Sequence, residues 1–260
     1  MAAILISKKA TKRFGGLVAV DTLDLEIMEK TIHAVIGPNG AGKTTFFNCV
    51  TGFYKAEEGE ILLGEHSLVG MSPDKIVHLG VSRTYQNIRL FPELTAIENV
   101  MVGMHPHLHA GFFGIVFNSP AVRREEAEAE AEGHRLLKFV GLEDKANMLA
   151  KHLPYGAQRR LEIARALASR PKLLCLDEPT AGMNSGETQA MCDFIQSLRD
   201  ELGITIMLIE HQMRVVMGIS EIISVLDYGK KIAEGTPDEI KRNPKVIEAY
   251  LGQGSAHKVH

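Results

Sequence analysis

Continuous apolar runs and alternating runs divide the chain into recognisable elements. Residues 31–36 are a short run rich in strand-forming residues, and residues 173–176 and 205–209 are short, mainly apolar runs. Each has the pattern of a strand that is buried on both faces. Residues 21–27 alternate polar and apolar side chains, which is typical of an antiparallel strand with one solvated face, and residues 60–64 resemble a further strand. Helical stretches separate the buried strands, so the pattern predicts an α/β fold with a mainly parallel sheet covered by helices.

Polar turn sequences mark where several helices should begin. Ser72 followed by Pro73 has the N-cap and first-position residues that open a helix. Residues 184–187 and 236–239 have the spacing of a capping box. Residues 92–157 are helical and irregular, and the glutamates of residues 123–140 predict a helix with a solvated face.

The composition is that of an ordinary globular protein. Of the 260 residues, 45% are hydrophobic and 23% charged, and the net charge of −3 gives no field that would favour nucleic acid. Three widely spaced cysteines predict a reducing compartment without a disulfide framework. We expect no signal peptide, and the longest apolar candidate, residues 110–117, is too short to span a membrane and is more typical of core or a contact surface.

Residues 37–44 form the most informative motif, Gly-Pro-Asn-Gly-Ala-Gly-Lys-Thr. This is the phosphate-binding loop G-x-x-x-x-G-K-[ST], in which the glycines let backbone N–H groups turn towards a polyphosphate. Lys43 would reach the β- and γ-phosphates, and the Thr44 hydroxyl would hold Mg²⁺. The alternative is a chance glycine turn, but the loop lies between a predicted strand and a predicted helix at residues 45–50, the context that the motif requires.

Charged residues follow two of the predicted buried strands. Asp177 comes at the end of the first, where a carboxylate can hold Mg²⁺ opposite Thr44, and Glu178 next to it can act as general base towards water. An acidic strand-to-loop turn before a proline is the structural alternative. His211 ends the second strand, where it could support the base, although a histidine in such a place is often structural.

Other candidate residues are supported less strongly by the residues alone. Gln86 lies between the first α/β stretch and the helical segment, where it could contact Mg²⁺ or water and sense the γ-phosphate. Residues 153–165 predict a turn and an arginine-rich helix whose N-terminus, near Gly156, could bind a second anion. His105, His107 and His109 could bind a metal, but the absence of nearby acidic or cysteine ligands favours a loop.

These motifs, taken in order over nearly the whole chain, resemble those of the ATP-binding subunits of ABC transporters. The phosphate loop is followed by the Q-loop glutamine (Gln86), the signature segment (residues 153–158), the Walker B strand (residues 173–178), the D-loop (residues 181–184) and the switch histidine (His211).

The resemblance implies a fold and a domain organisation. The fold would be a P-loop NTPase (RecA-like) α/β core with an N-terminal antiparallel β subdomain and an inserted α-helical subdomain. Residues 1–254 would form one nucleotide-binding domain. Its parts would be the core with the β subdomain (residues 1–90 and 158–235), the helical subdomain with the signature (91–157) and the C-terminal helices (236–254), followed by a flexible tail (255–260).

The resemblance also implies the cofactors, ATP and Mg²⁺, and the residues that handle them. Glu178, His211, Lys43 and Gln86 would be catalytic, and Thr44, Gln86 and Asp177 would hold the metal. Phe14 would stack on adenine. The remaining nucleotide contacts would come from the phosphate loop and from the signature segment: Gly37, Pro38, Asn39, Gly40, Ala41, Gly42, Lys43, Thr44, Thr45, Tyr155, Gly156, Ala157 and Gln158.

The implied partners are a second ATP-binding subunit, identical or homologous, in a head-to-tail dimer, two transmembrane permease subunits and, indirectly, a solute-binding protein. Nucleic acid is not expected as a partner. The expected location is peripheral, on the cytoplasmic face of a bacterial inner membrane. Residues 13–17, 83–91, 159–165 and 235–252 look like the LivG-type subunit of branched-chain amino-acid importers. The cargo is therefore implied by resemblance and not by a pocket.

Two positions depart from the wider family pattern. Pro154 replaces the signature serine, whose hydroxyl would contact the γ-phosphate bound by the opposite subunit, and Asn184 replaces the D-loop aspartate. We expect binding by the opposite subunit to be weakened, because a lost hydrogen bond to a charged group costs about 1.5–3 kcal/mol.

Three alternative functions remain at this point. An ATPase of the lipid-export type would have a similar core. A soluble ABC protein acting on DNA or ribosomes would be expected to have tandem ATPase domains or a long coiled-coil arm, which the chain lacks. A P-loop kinase is disfavoured by the signature segment near Gly156 and by His211.

Overall fold

The computed structural model describes residues 2–107 and 120–256, which form two compact units. The first consists of Met1–Arg83 and Lys172–His260, and the second of Thr84–Pro171. We had expected the helical part to span residues 91–157. The second unit extends further, to Pro171, because the helix at Tyr155–Leu167 packs on the helix at Ala96–Gly103. We had assigned most of that helix to the α/β core from its sequence pattern.

An antiparallel sheet forms the N-terminal part of the first unit. Its strand order is β2-β1-β4-β5, and its strands are β1 (Ala3–Phe14), β2 (Leu17–Met28), β4 (Glu58–Leu63) and β5 (His66–Ser67). Along β2, exposed positions alternate with buried ones from Thr22 to Ile27. The half-solvated antiparallel strand predicted at residues 21–27 is therefore confirmed.

A six-stranded sheet forms the centre of the first unit, in the order β10-β9-β3-β8-β7-β6. All neighbouring pairs except β9 with β10 are parallel. The strands are β3 (Ile32–Ile36), β6 (Val81–Arg83), β7 (Leu173–Asp177), β8 (Thr205–Ile209), β9 (Ile222–Asp227) and β10 (Lys230–Gly235). Every residue of β3, β7 and β8 is buried, which confirms the three predicted buried strands.

Helices follow most of these strands. In the first unit they are α1 (Lys43–Val50), α2 (Pro73–Leu79), α6 (Ser185–Asp200), α7 (Met213–Ile219), α8 (Pro237–Arg242) and α9 (Pro244–Ala256). Asn184 and Thr236 each form the predicted capping box, and Ser72 is the N-cap before Pro73. Because α9 reaches Ala256, the expected tail from residue 255 begins in helix, and its last four residues lie outside the described part.

The second unit contains helices α3 (Ala96–Gly103), α4 (Pro120–Phe139) and α5 (Tyr155–Leu167). Buried Asn99 ties α3 to the preceding segment, because its amide donates to the carbonyls of Phe91, Leu94 and Thr95. The glutamate-rich helix predicted at residues 123–140 is confirmed as α4. Both α4 and α5 pack on α3, which gives the unit a three-helix core.

Some expectations fall wholly or partly outside the described residues. The apolar run at residues 110–117 and His109 lie there, whereas His105–His107 form a short 3₁₀ turn. Among the described residues, no histidine, cysteine and carboxylate side chains cluster as metal ligands would, and no helix has the length and apolarity to cross a membrane. The three cysteines are buried free thiols.

Candidate nucleotide-hydrolysis site

The phosphate loop leaves the buried end of β3 and leads directly into α1. Two glycines are required by close backbone approaches. A side chain on Gly37 would place its Cβ 2.1 Å from the carbonyl oxygen of Leu226, and one on Gly42, at φ +98°, would lie 2.2 Å from that of Ala19. Gly42 is also the N-cap of α1, so the loop delivers the free N–H groups of the helix to the site.

Lys43 is held over the loop by two of its carbonyl groups. Its ammonium group donates to the oxygens of Gly37 (2.6 Å) and Pro38 (2.8 Å). Partial burial lowers the pKa of Lys43, while the charges of Glu178 and Asp177 act in the opposite direction. The predicted phosphate-binding cation and the two predicted acidic residues are therefore electrostatically coupled.

Asp177 ends β7 and forms a buried ion pair with Arg83, the last residue of β6. Arg83 Nη2 lies 3.0 Å from Asp177 Oδ2, and each side chain is only 6% exposed. Arg83 Nη1 donates to Asn48 Oδ1 (2.6 Å) and Thr51 Oγ1 (3.2 Å), at the end of α1. One guanidinium group thus links the helix after the phosphate loop to the acidic strand end.

Glu178 and His211 face each other beyond the ends of neighbouring strands. Glu178 has a left-handed backbone, with φ 49°, and its N–H donates to the carbonyl of Ile209. Its Oε1 lies 3.4 Å from His211 Nδ1. Such a conformation is strained for a residue with a side chain and is often found at functional positions. The carboxylate is partly exposed and so remains accessible to water.

Glu210, by contrast, is fully buried next to His211. Its carboxylate accepts hydrogen bonds from the Thr180 hydroxyl and from the His211 N–H. Burial raises the pKa of Glu210, although these hydrogen bonds lower it in part. The sequence analysis did not assign a role to Glu210, Thr180 or Arg83. Arg83 carries no local signal, because its partner lies 94 residues away in the chain.

Phe14 ends β1 and is 42% exposed, as a base-stacking residue would require. Tyr54 packs edge-on against it, with ring centroids 5.1 Å apart, and the Lys12 ammonium lies 5.0 Å from its centroid. Glu57 fixes this strand end by accepting hydrogen bonds from Lys12 and from the Arg13 N–H. These contacts hold Phe14 at the strand end and leave the residue partly exposed.

Gln86 and the signature segment both belong to the second unit. Pro154 is the N-cap of α5 and offers no side-chain cap, while Tyr155 is 46% exposed and the position of Gly156 is open. Gln158 donates from its side chain to the carbonyl of Leu153. The sequence analysis did not note that Tyr155 occupies the place of the first glycine of the family signature.

The D-loop position Asn184 has a clear structural task. Its side chain accepts hydrogen bonds from the N–H groups of Gly186 (2.9 Å) and Glu187 (3.0 Å) at the start of α6. Asparagine and aspartate are about equally good N-caps. The replacement of the family aspartate therefore leaves the helix cap intact.

The first unit presents donors that suit a hard divalent cation. Asp177 supplies carboxylate oxygen, Thr44 supplies a hydroxyl in the first turn of α1, and Mg²⁺ prefers such oxygen ligands. Val35 and Asp177 both pair with Ile209 of the strand between them, so the ends of β3 and β7 lie at the same level, about 10 Å apart.

The site therefore combines a glycine-rich loop that could bind an anion, a lysine, a carboxylate that could hold a metal and a carboxylate–histidine pair. In parallel α/β sheets, ligands bind beyond the carboxyl ends of the strands, where these groups lie. The family model described as ABC transporter matches residues 20–181, and one described as branched-chain amino acid ATP-binding cassette transporter matches residues 230–256. The chain belongs to the ATP-binding subunits of ABC transporters, and it is an ATPase of that family.

Several characterised relatives are similar over almost their whole length. The high-affinity branched-chain amino acid transport ATP-binding protein LivG of Salmonella typhimurium is 50% identical over 241 residues, 93% of this chain and 94% of the relative. Its counterpart BraF of Pseudomonas aeruginosa is 49% identical over 243 residues, 94% and 95% of the two chains.

Solved structures confirm the fold. The ADP conformation of MJ1267, an ATP-binding cassette of an ABC transporter, has a TM-score of 0.84 at 30% identity, covering 97% of this chain and all of that one. The dimeric structure of the bacterial ABC transporter cassette MJ0796 has a TM-score of 0.75 at 26% identity, covering 90% of this chain and 98% of the other. The expected P-loop NTPase fold is therefore correct.

Proposed function

We propose that the chain is the energy-coupling ATPase of an ABC importer for branched-chain amino acids. The observation that carries this is the grouping of the phosphate loop, Asp177, Glu178 and His211 at one sheet edge, in a chain about 50% identical to LivG. The relatives are named for branched-chain amino acid transport, and nothing in the described residues favours a lipid cargo instead.

Hydrolysis would use the groups of the first unit on a bound ATP. Phe14 stacks on the adenine ring, and the loop N–H groups with Lys43 hold the phosphates and stabilise the charge of the transferred phosphoryl group. Glu178 orients the attacking water and takes its proton. His211, whose Nδ1 lies 3.4 Å from the carboxylate, holds it in place.

A magnesium ion would be held by Thr44, Asp177 and Gln86. When bound, Mg²⁺ neutralises charge on the β- and γ-phosphates. The role of this chain is to keep the ligand atoms ready, and Arg83 does so for Asp177 by fixing its carboxylate. Gln86 is exposed on the second unit, where it can respond to the γ-phosphate and to a neighbouring subunit.

Two copies, or this chain and a paralogue, would close head-to-tail over two ATP molecules. Tyr155, Gly156, Ala157 and Gln158 of each subunit then complete the site of the other through backbone N–H groups at the start of α5. The permease subunits would contact the surface around Gln86 to Glu93, and a solute-binding protein would act through them. The assembly would place this subunit at the cytoplasmic face of the inner membrane.

Purification of the membrane complex and its reconstitution into vesicles would test this function. We expect ATP-driven uptake of leucine, isoleucine or valine. In the complex, Glu178→Gln should lower the rate of hydrolysis about 10²–10⁴-fold while ATP still binds. Glu201→Gln, an exposed change in the same unit, is the control. ATP-dependent movement of lipid without amino-acid uptake would reject the proposed cargo, and near-normal hydrolysis by Glu178→Gln would reject the assigned base.

The proposed permease surface has its own test. Glu93 is exposed and forms an ion pair with Lys151 at 2.6 Å. Surface pairs of this kind contribute little to stability, so Glu93→Lys should leave the fold intact. We expect it to reduce uptake much more than hydrolysis. An equal loss of both would count against this surface as the permease contact.

A further inference from the structure

Three charged side chains of helix α5 hold the main chain of the segment that contains Gln86. They are Arg159, Glu162 and Arg165, spaced three residues apart and therefore on one side of the helix. Arg159 donates to the carbonyls of Tyr85 (2.5 Å) and Gln86, Glu162 accepts from the Arg89 N–H (3.1 Å), and Arg165 donates to the Arg89 carbonyl. We call residues 85–89 the glutamine segment.

Arg159 also contacts the signature segment. The nitrogen Nη2 that donates to the Gln86 carbonyl lies 3.2 Å from the Tyr155 hydroxyl, and the guanidinium lies 5.7 Å from the centre of the Tyr155 ring. Tyr155 is the first residue of α5. The family signature has a glycine at this position, so the tyrosine side chain has no counterpart there. One buried nitrogen therefore joins a signature residue to the glutamine segment.

The Arg159 guanidinium is oriented towards the glutamine segment and not towards its ion-pair partner, Glu162. Its side chain is 2% exposed and that of Glu162 is 1% exposed, yet only one nitrogen approaches the carboxylate, at 3.3 Å. The Nε–H has no hydrogen-bond partner among the described residues. A guanidinium arranged for its carboxylate would pair through two parallel hydrogen bonds. Here the terminal nitrogens are directed to the backbone carbonyls instead.

Glu162 completes this arrangement with the opposite charge. Burial raises the pKa of Glu162, while the Arg89 N–H and the charges of Arg159 and Arg165 lower it. These contacts with the segment use its main chain, and Gln86 is exposed. The segment is thus fixed to α5 through its backbone.

We propose that Arg159 is a positioning residue that makes the glutamine segment and the signature residues Tyr155–Gln158 move as one element. The inference rests on the proposed function, in which Gln86 serves the site of its own subunit and the signature serves that of the opposite one. A permease that displaces the surface at Gln86–Glu93 then shifts the start of α5 by the same movement. Arg159 acts through these two segments.

Hydrogen exchange on the full-length chain tests the physical link. Arg159→Met removes the carbonyl contacts and should speed exchange of the Arg89 N–H at least about tenfold, with faster exchange at the start of α5. Arg159→Lys keeps the charge but cannot bridge two carbonyls and Tyr155, so we expect an intermediate effect. The matched control is Arg135→Met, which removes an exposed Arg–Glu pair of the same spacing from α4. Unchanged exchange in both Arg159 variants would overturn the proposal.

The reconstituted complex tests the functional consequence. In Arg159→Lys, we expect the KM for ATP to change less than about twofold, while stimulation of hydrolysis by the loaded solute-binding protein falls at least about fivefold. Arg135→Met should retain full stimulation. Normal stimulation in Arg159→Lys would overturn the proposal. If the wild-type complex transports no branched-chain amino acid, the proposed cargo fails, whereas the exchange experiment still decides whether Arg159 links the two segments.

Discussion

The buried Arg83–Asp177 pair should be a major contributor to the stability of the first unit, and Arg83→Met tests this. The two side chains meet at 3.0 Å with 6% exposure each, so water cannot replace the guanidinium. Removing one partner of a buried pair costs about 3–5 kcal/mol, because the other charge remains buried. We take about 3 kcal/mol, since the Lys43 charge also acts on Asp177.

The expected change in melting temperature follows from that free energy. A domain of 150–250 residues loses about 2–4 °C per kcal/mol, so Arg83→Met should melt roughly 6–12 °C below the wild type. Thermal unfolding monitored by circular dichroism measures the shift. Lys230→Met is the matched control, because it removes an exposed pair with Asp21 from the same unit, at 3.2 Å. A pair of this kind is worth about 0–1 kcal/mol.

A second variant distinguishes charge from packing. Asp177→Asn removes the charge that Arg83→Met leaves behind, so the double variant should be more stable than Arg83→Met alone. The guanidinium of Arg83 also lies 5.9 and 5.7 Å from the ring centres of Phe47 and Phe53. If Arg83 stabilises the fold through this stacking, the double variant will be no more stable than Arg83→Met. That result, or a melting temperature of Arg83→Met close to that of the control, would refute the assigned role.

Three further outcomes can be measured on the same protein. Phe14→Ala should weaken ATP binding by about 1–3 kcal/mol, or roughly 5–150-fold in Kd, in calorimetric titration, and an unchanged Kd would remove Phe14 from the site. Pro154→Ser should raise the ATPase activity of the assembled complex. The serine would add an N-cap hydroxyl to α5, and the same hydroxyl would reach the γ-phosphate bound by the opposite subunit. An unchanged rate with unchanged nucleotide affinity would contradict this. Burial lowers the pKa of His33 to about 4, so its neutral form stabilises the fold above pH 6.5 and this contribution is lost as the pH falls towards 4. In urea unfolding, the free energy of unfolding of the wild type should therefore fall by about 2 kcal/mol more than that of His33→Gln between pH 7.5 and 5. Equal decreases would show that folding does not change the pKa of His33.

Features with local causes could be predicted from the sequence. The strand at Thr205–Ile209 has the predicted bounds, because Thr205 is followed by four apolar residues, a pattern typical of a strand that is covered on both faces. The capping boxes of Asn184 and Thr236 were likewise predictable, since the side chain and the N–H groups it binds lie within three residues. The phosphate loop belongs to the same class, because its flanking strand and helix are adjacent in the chain.

Contacts set by strand order could not be predicted. Arg83 meets Asp177 only because β6 pairs in parallel with β7, and Phe14 meets Tyr54 through the folding of the antiparallel sheet. The limits of the second unit, Thr84–Pro171, differ from the expected residues 91–157 for a similar reason. The pattern of α5 is that of any amphipathic helix, and only its packing on α3 shows to which unit it belongs.

The ends of β7 and β8 are each followed by one more accessible side chain beside a buried carboxylate. Glu178 leaves the strand direction through its left-handed backbone, with φ 49°, so its side chain separates from that of Asp177. Asp177 turns inward to Arg83 while Glu178 stays accessible, and Glu210 turns inward to Thr180 while His211 is exposed. The inner member of each pair fixes the backbone from which the outer member acts. We therefore expect Glu210→Gln to shift the pH profile of hydrolysis by displacing His211, and an unchanged profile would show that the inner carboxylate has only a packing role.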